Sequence, residues 1–330
     1  MICAVLASCL TAFGKPADVL RIKERARPRP GKGDILLEML AAPVNPADLN
    51  VIEGKYGELP KLPAVVGNEG VGRVAAVGSK AKGFSVDDLV LPMRRGTWSQ
   101  FMLADAASAI RLPREMNAFQ AGMLTINPAS AWGMLNGFVS LRKGEWIVQN
   151  AANSAVGRCI IQIAQSRGWR TLNVVRRQDV VEDLKALGGD AVVLEGCDLR
   201  QVAGDLCDGA RPRLGLNAVG GASALNLANA LADLGTLVTY GAMARQPLKI
   251  PNGLLIFRNL EFKGFWVSRW LASLPLAEAT EMWGSLAVLS IEGKLRMPVH
   301  RVFPLTELLA AVEEAASESR NGKVVLDLRA

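Results

Sequence analysis

Between residues 123 and 263, short apolar segments alternate with segments of helical period, and this alternation limits the folds open to the chain. Strands that are apolar on both faces are typical of parallel sheets, in which a crossover helix follows each strand. The buried-strand candidates are WIVQN (146–150), TLNVV (171–175), AVVL (191–194), LGLNAV (214–219) and GTLVTYG (235–241). We therefore predict an α/β fold with a doubly wound parallel sheet over residues 123–263.

The segments on either side of this region have a different pattern. Residues 1–122 contain β-prone runs separated by Gly- and Pro-rich turns, which indicates an irregular, mostly antiparallel β-domain. Residues 264–330 contain two helical segments and end in the β-prone run KVVLDL. We predict that residues 1–122 and 264–330 form one β-rich domain, and that residues 123–263 form a second domain inserted into it.

Histidine and cysteine are too sparse for an ordinary zinc site. The chain has one histidine, His300, and five scattered cysteines, and neither C-x-x-C nor H-E-x-x-H occurs. A histidine-based catalytic triad would have a single available member without supporting sequence context. We predict that the protein holds no metal and that its chemistry uses other groups.

Charge, hydropathy and cysteine usage predict a cytoplasmic protein without a membrane span. The 38 basic and 31 acidic residues give a net charge of +7, spread along the chain, so no specific nucleic-acid site is expected. A basic cluster between Arg21 and Arg29 is interrupted by prolines, which indicates a connection between strands. No apolar run approaches the roughly 20 residues of a membrane span, the N-terminus lacks the basic region of a signal peptide, and scattered cysteines suit a reducing compartment.

The segment QNAANSAVGR (149–158) lies between the first predicted buried strand and the first predicted helix. A dinucleotide-binding fold needs small residues at this turn, because the backbone must approach a pyrophosphate that the helix N-terminus stabilises. The usual G-x-G-x-x-G pattern is reduced here to Ala152-x-Ser154-x-x-Gly157. An ordinary turn of small residues is the alternative, but the position in the first βα unit favours a dinucleotide loop.

The residues after the second predicted strand favour NADP(H) over NAD(H). A fold selective for NAD(H) places an acidic residue there to bind the ribose 2′-hydroxyl. This chain has Arg176 and Arg177 instead, with no acid before Asp179. Arginine pairs well with a 2′-phosphate, so we predict NADPH as the cofactor, with two exposed surface arginines as the alternative.

Several blocks spread over most of the chain resemble the zinc-free medium-chain dehydrogenase/reductases, and in detail the trans-2-enoyl-CoA reductases of mitochondrial fatty-acid synthesis. These blocks are VNPADLNVIEGKYGELPKLPAVVGNEGVG (44–72), INPASAW (126–132), IVQNAANSAVGRCIIQIA (147–164), NVVRRQD (173–179), YGAM (240–243) and FKGFWVSRW (262–270). The resemblance implies a GroES-like β-rich catalytic domain combined with a Rossmann domain. It also implies an oxidoreductase of fatty acid metabolism that is commonly a homodimer.

The positions that bind zinc in metal-dependent relatives are occupied differently in this chain. Those enzymes carry G-H-E where this chain has Gly67-Asn68-Glu69, and the ligand cysteine expected near Asp48 is absent. Without a Lewis acid, reversible alcohol oxidation is disfavoured. Reduction of a C=C bond conjugated to a thioester has other needs: a hydride for the β-carbon, donors for the enolate oxygen and a proton for the α-carbon.

The resemblance identifies Tyr56, in the loop GKYG, as the proton donor. A surface-loop tyrosine is the alternative, and quinone oxidoreductases of the same superfamily carry a similar loop. The resemblance also implies a set of cofactor contacts, and these are Asn127, Asn153, Ser154, Ala155, Val156, Arg176, Arg177, Tyr240, Gly241, Ala242, Met243, Phe265, Trp266, Val267, Ser268 and Lys323. Ala155 replaces the glycine that is usual in relatives, so the loop gains a methyl group.

We predict that the protein reduces 2-enoyl thioesters with NADPH, the acyl group being carried on CoA or on acyl carrier protein. A zinc-free NADPH:quinone oxidoreductase is the first alternative. A non-catalytic NADP(H)-binding or RNA-binding protein is the second, and the Tyr56 loop and the paired arginines argue against it.

Overall fold

The computed structural model of the protein describes residues 4–207, 209–317 and 320–329. The chain divides into two compact units. The first, called the β-rich unit, comprises Met1–Ile126 and Leu276–Ala330, and the second, called the parallel-sheet unit, comprises Asn127–Pro275. The sequence predicts boundaries after residues 122 and 263, and both observed divisions fall later in the chain.

Strands and helices are numbered in chain order. The first part of the β-rich unit contains β1 (Ala4–Leu10), α1 (Pro16–Val19), β2 (Leu20–Ala26), β3 (Asp34–Pro43), α2 (Pro46–Ile52), β4 (Val71–Val77), β5 (Leu89–Leu91), β6 (Phe101–Asp105), β7 (Ile110–Leu112) and α3 (Ala118–Gly122). The parallel-sheet unit contains α4 (Asn127–Gly137), β8 (Trp146–Gln149), α5 (Ala155–Arg167), β9 (Arg170–Val175), a 3-10 turn (Gln178–Val180), α6 (Val181–Ala186), β10 (Ala191–Leu194), α7 (Leu199–Leu206), β11 (Leu214–Asn217), α8 (Gly221–Ala230), β12 (Thr236–Thr239), α9 (Asn252–Ile256), β13 (Glu261–Gly264) and α10 (Val267–Ser273). The last part of the β-rich unit contains α11 (Leu276–Ile291), β14 (Val299–Pro304), a 3-10 turn (Leu305–Glu307), α12 (Leu308–Ala316) and β15 (Lys323–Asp327). Among the described helices, none combines the length and the apolar character that crossing a bilayer would require.

The β-rich unit is built around a seven-stranded sheet with the order β14-β15-β3-β4-β5-β7, in which β6 also pairs with β3. The pairs are antiparallel except for β14 with β15. Strand β3 lies at the centre because its residues from Ile35 onward are apolar and buried, apart from Glu38. The predicted antiparallel β-domain is confirmed, and the C-terminal strand completes it by pairing β15 with β3.

A separate two-stranded sheet corrects one expectation from the sequence. The basic segment that is expected to connect strands forms β2, which pairs antiparallel with β1 along its whole length. Burial alternates along β2: Leu20 is fully buried and Ile22 packs on the core, whereas the intervening Arg21 and the following Lys23 are exposed. This alternation is a strand signal, and the prolines that suggest a connection follow the end of the strand.

The parallel-sheet unit has one six-stranded sheet with the order β10-β9-β8-β11-β12-β13, and every pair in it is parallel. The predicted doubly wound parallel sheet is therefore confirmed. The strand order changes direction at β8, which has β9 on one side and β11 on the other. Sheets of this kind bind ligands at the carboxyl end of the strands beside such a switch point.

The residues after β13 explain why the parallel-sheet unit ends later than predicted. The backbone N–H of Phe265 donates to the carbonyl oxygen of Thr239 (2.9 Å). The Phe265 ring packs edge-on against Phe138 and also against Trp270, with ring centroids 6.1 and 5.6 Å apart. The segment from residue 264 to α10 therefore belongs to this unit, a tertiary contact that periodicity along the chain does not reveal.

Candidate active site

The turn between β8 and α5 has the geometry of a phosphate-binding loop. Ser154 caps α5, because its hydroxyl accepts a hydrogen bond from the backbone N–H of Gly157 (3.1 Å). A Cβ at Gly157 would lie 2.5 Å from the carbonyl oxygen of Ala152, so only glycine allows the helix to approach the turn this closely. The other predicted residues of the loop, all half-buried, are Asn153, Ala155 and Val156. The N-terminus of a 13-residue helix thus lies at the carboxyl edge of the sheet, a position suited to stabilising an anionic group.

Buried amide side chains hold the strand ends beneath this loop. Gln149 Nε2 donates to the carbonyl oxygen of Gly157 (3.1 Å) and to Asn173 Oδ1 (2.7 Å). Asn150 Nδ2 donates to Asn217 Oδ1 (2.9 Å). These bonds join the carboxyl ends of β9, β8 and β11 across the switch point. Sequence reasoning did not identify them, although amides within otherwise apolar strand segments are a signal for such a network.

Arg176 and Arg177 are the two residues that follow the carboxyl end of β9. Arg176 is exposed, and Arg177 is half-buried with its Nε 3.3 Å from Asp179 Oδ1. Because this ion pair is solvent-exposed, it holds Arg177 only weakly. Two guanidinium groups at the end of the second strand are the arrangement that a ribose 2′-phosphate requires.

The segment after β12 comprises Tyr240, Gly241, Ala242 and Met243. Its backbone is fixed by hydrogen bonds from the N–H of Tyr240 to the carbonyl oxygen of Asn217 (3.0 Å) and from the N–H of Met243 to that of Ala218 (3.0 Å). Burial raises the pKa of Tyr240 far above its ordinary value, an effect opposed by the neighbouring Ser154 hydroxyl. The Tyr240 phenol therefore stays neutral, at the same sheet edge as the β8–α5 loop.

Two further predicted segments lie in the parallel-sheet unit. Phe265 and the partly exposed Trp266 connect β13 to α10, which begins at the buried Val267 and contains Ser268. Asn127 is 5% exposed and is the first residue of α4. The carboxyl ends of β8, β9, β12 and β13 thus bring most of the predicted cofactor contacts to one edge of the sheet, because parallel strands end on the same side.

Tyr56 belongs to the β-rich unit, in the loop that follows α2. The helix ends with hydrogen bonds from the N–H of Gly54 to the carbonyl oxygen of Val51 (3.1 Å) and from the N–H of Lys55 to that of Asn50 (2.8 Å). Tyr56 comes next and is half-buried. The guanidinium of Arg95 lies over its ring, 5.8 Å from the centroid.

A polar cluster consists of Asn45, Asp48, Asn68, Glu69 and Lys323, all of them buried except the half-buried Asn68. It joins helix α2 with its N-cap, the loop before β4 and strand β15 in the same unit. Glu69 accepts from Asn45 Nδ2 (2.7 Å) and from the backbone N–H of Ile126 (2.8 Å). The Lys323 ammonium donates to the side-chain oxygen of Asn45. The sequence draws attention to Asn68, Glu69 and the region near Asp48 only through the comparison with zinc-dependent relatives, and it does not predict this cluster.

Burial dominates the acid–base behaviour of the cluster. It raises the pKa of Glu69 from 4.5 to about 7, against the opposing effects of the Lys323 charge and of the hydrogen bond from Asn45. Burial likewise raises the pKa of Asp48 from 3.8 to about 6, against backbone hydrogen bonds from Asn45 and Asn68. Two carboxyl groups with raised pKa values thus share one buried cation.

Lys323 was predicted to contact the cofactor. It is 4% exposed, and its ammonium has a partner within the β-rich unit, the side chain of Asn45. The cofactor contact stays a prediction, while the cluster shows a second role in neutralising buried carboxylates.

Asp48 and Asn68, from the two regions compared with zinc ligands above, bond to each other in this chain. Asp48 Oδ1 accepts from the side-chain amide of Asn68 (2.7 Å) and from its backbone N–H (2.9 Å). In the described part of the chain, no group of three His, Cys, Asp or Glu side chains is arranged to hold a metal ion. A β-rich unit whose chain contains an inserted six-stranded parallel sheet is the architecture of the medium-chain dehydrogenase/reductase class.

Comparison with known proteins agrees with this class. Residues 31–114 match the alcohol dehydrogenase GroES-like domain family, and residues 155–283 match the zinc-binding dehydrogenase family. The mitochondrial enoyl-[acyl-carrier-protein] reductase of Homo sapiens is 39% identical over 96% of this chain and 86% of its own. The chain therefore belongs to the medium-chain dehydrogenase/reductase family, in the branch of the enoyl-[acyl-carrier-protein] reductases.

Two solved structures are similar over nearly the whole chain. A protein from Bacillus thuringiensis provisionally assigned as an NADPH:quinone reductase has a TM-score of 0.91 at 27% identity, over 98% of this chain and 99% of that one. The mitochondrial 2-enoyl thioester reductase heterodimer of Candida tropicalis has a TM-score of 0.90 at 28% identity, over 98% of this chain and 100% of that one. A complex of the Candida enzyme contains NADP and crotonyl-CoA.

Proposed function

We propose that the protein reduces the C=C bond of 2-enoyl thioesters with NADPH. The observation that carries the proposal is the turn from β8 to α5, a capped helix N-terminus at a switch point, followed one strand later by Arg176 and Arg177. The enoyl reductases among its relatives supply the reaction type, and the loop of Tyr56 supplies an acid suited to it.

NADPH, when bound, supplies the hydride that adds to the β-carbon of the substrate. The N-terminus of α5 and its Ser154 cap would hold the pyrophosphate, and Arg176 and Arg177 the 2′-phosphate. The residues that would border the nicotinamide end are Asn127, Tyr240, Gly241, Ala242, Met243, Phe265, Trp266, Val267 and Ser268. The close approach enforced at Gly157 supports this assignment, because a side chain there would fill the cradle.

Tyr56 is the proposed proton donor. As hydride reaches the β-carbon, the C=C electron pair moves toward the thioester and charge collects on its oxygen as an enolate. The enolate then collapses and takes the phenolic proton at the α-carbon: the O–H bond of Tyr56 breaks and a C–H bond forms. The phenolate recovers a proton from water, so the products are the saturated thioester and NADP⁺.

The carrier of the acyl group and the assembly of the protein are finer parts of the proposal. We propose that both CoA and acyl-carrier-protein thioesters are accepted, supported by the net charge of +7 and by relatives named for the carrier protein. A homodimer is supported by β13, the last strand in its sheet order, and by the exposed Ile256 (69%) and Phe257 (84%) nearby in sequence. Light scattering of the purified protein measures the assembly.

We also propose that the protein works in the cytoplasm, as its composition suggests. The similar enoyl reductases of Homo sapiens and Candida tropicalis are named as mitochondrial, which favours the mitochondrion as the alternative location. Fractionation of cells that produce the full-length protein, followed by immunodetection, distinguishes them, and enrichment with a mitochondrial marker would contradict the proposal.

The test is a panel of enoyl thioesters, enones and quinones, each assayed with NADPH and with NADH. We expect turnover of crotonyl or hexenoyl thioesters with NADPH, and a loss of at least about a hundredfold in kcat for Tyr56→Phe, the usual size of a general-acid effect. NADPH binding, measured by fluorescence, should be unchanged in this variant. Equal turnover by the variant would remove Tyr56 from the mechanism.

A zinc-free quinone oxidoreductase is the second candidate, favoured by the high structural similarity to the Bacillus thuringiensis protein. Reduction of quinones without turnover of any enoyl thioester would establish it. Salt-sensitive RNA binding without any reductase activity would instead support the non-catalytic alternative.

A further inference from the structure

Arg95 joins the loop of Tyr56 to the rigid part of the β-rich unit. Its Nη1 donates to the carbonyl oxygen of Glu58 (3.1 Å), and its Nη2 lies 3.1 Å from Glu58 Oε2. The same guanidinium lies 5.8 Å from the ring centroid of Tyr56, two residues before Glu58. One planar cation thus binds the backbone, a carboxylate and the aromatic ring of a single short loop.

The backbone that carries Arg95 is itself anchored. The N–H of Gly96 donates to the carbonyl oxygen of Gly67 (2.8 Å). The hydroxyl of the fully buried Thr97 donates to the backbone carbonyl oxygen of Glu69 (2.7 Å). Gly96 has φ +93°, a left-handed conformation that glycine adopts without strain. Arg95 therefore starts from a fixed position beside the polar cluster, whereas residues 55–63 of the Tyr56 loop lie in neither helix nor strand.

We infer that Arg95 is a positioning residue for Tyr56 in the proposed reduction. Its backbone position is fixed by Gly96 and Thr97, and its guanidinium, bound to the carbonyl oxygen of Glu58, restrains the plane of the phenol ring. The inference rests on the proposed function, and it adds a residue that the sequence did not single out.

The neighbouring Arg94 provides a matched control. Its Nη1 donates to the carbonyl oxygen of Leu103 (3.1 Å), and its side chain is exposed. Arg94 and Arg95 are consecutive residues. Arg94→Met therefore removes one positive charge close to Arg95 but keeps the contact between Arg95 and Tyr56.

The kinetic test is a double-mutant cycle of Arg95→Met with Tyr56→Phe, assayed with an enoyl thioester and NADPH. We expect Arg95→Met to lower kcat about fivefold to tenfold, with KM changed by less than about twofold. In the Tyr56→Phe background the same change should have no further effect, because Arg95 acts through the phenol. Arg95→Lys should recover part of the loss, and Arg94→Met should leave kcat unchanged. An equal effect of Arg95→Met in both backgrounds, or an equal effect of Arg94→Met, would overturn the inference.

A second measurement tests the contact without turnover. The chain has two tyrosines, so protein labelled with 3-fluorotyrosine gives two ¹⁹F resonances, and the one lost in Tyr56→Phe belongs to Tyr56. Arg95→Met should shift and narrow that resonance as the ring gains freedom, while the Tyr240 resonance and the spectrum of Arg94→Met stay unchanged. An unshifted Tyr56 resonance overturns the role of Arg95 whatever the substrate. Absence of enoyl thioester turnover in the unmodified protein would instead refute the proposed function, so the two failures are distinguishable.

Discussion

Replacing Glu69 by glutamine is expected to remove a pH-dependent loss of stability. Glu69 is 2% exposed, and burial raises its pKa from 4.5 to about 7. Between these values the folded protein binds a proton that the unfolded chain has released, so the free energy of unfolding falls as the pH rises. Because one pKa unit corresponds to about 1.4 kcal/mol, deprotonation of this group costs the folded protein about 3 kcal/mol above pH 7.

Glutamine matches the protonated carboxyl group in charge and in shape but not in hydrogen bonding. The Asn45 amide and the Ile126 N–H donate to different oxygens of Glu69, and the side-chain NH2 that replaces one of these oxygens cannot accept. We therefore expect Glu69→Gln to be less stable than the unmodified protein by about 1 kcal/mol at about pH 5, the cost of one lost hydrogen bond. At about pH 8 the balance should move toward the variant by up to about 3 kcal/mol, because only the unmodified protein keeps a buried carboxylate there.

The assay is urea-induced unfolding at both pH values, followed by far-ultraviolet circular dichroism. Asp48, whose pKa is raised to about 6, titrates in both proteins, and Glu69→Gln also removes the repulsion between the two carboxylates, which adds to the gain of the variant at about pH 8. Glu292→Gln is the control, since its exposed pair with Lys294 (2.8 Å) should contribute no more than about 1 kcal/mol at either pH. A Glu69→Gln difference that is the same at both pH values would refute the reasoning, and a variant less stable at about pH 8 would show that Lys323 depends on the Glu69 charge.

Two further changes test the dinucleotide site. Arg176→Ala should weaken NADPH binding about tenfold to a hundredfold, the loss expected for a charge-assisted bond to phosphate, and should leave NADH binding unchanged. The control is Arg170→Ala, which removes an exposed arginine at the opposite end of β9. Equal losses for both cofactors would contradict the assignment of Arg176. Ala151→Gly should raise the stability by up to about 1 kcal/mol, because Ala151 has a left-handed φ of +47° whose strain glycine relieves. Ala152→Gly, a change at a fully buried site with ordinary φ, should instead lower the stability by about 1 kcal/mol, and thermal melting compares the two.

The parts of the site that sequence could predict are those encoded over short distances. The apolar segments of the parallel sheet, the small residues from Ala152 to Gly157 and the pair Arg176–Arg177 each lie within one βα unit. The strand–turn–helix geometry requires those residue types locally, so their pattern predicts the phosphate-binding turn before any tertiary contact is known.

The parts that could not be predicted join residues far apart in the chain. Lys323 meets Asn45 across 278 residues, and Arg95 meets Glu58 across 37. The end of the parallel-sheet unit also depends on such contacts, because Phe265 packs against Phe138. A single sequence shows that a lysine or an arginine is present, but which carboxylate it neutralises depends on how loops from different strands converge.

The sequence by itself thus determined the class of fold, and it predicts the position of the dinucleotide loop and the preference for NADP(H), since the period of apolar residues and the chemistry of a turn are local properties. Tertiary structure alone decided that Asp48 and Asn68 bond to each other beside a buried lysine. It also decided that Tyr56 lies under a guanidinium. Burial and long-range approach set the charge and orientation of these groups, and both arise only when the chain has folded.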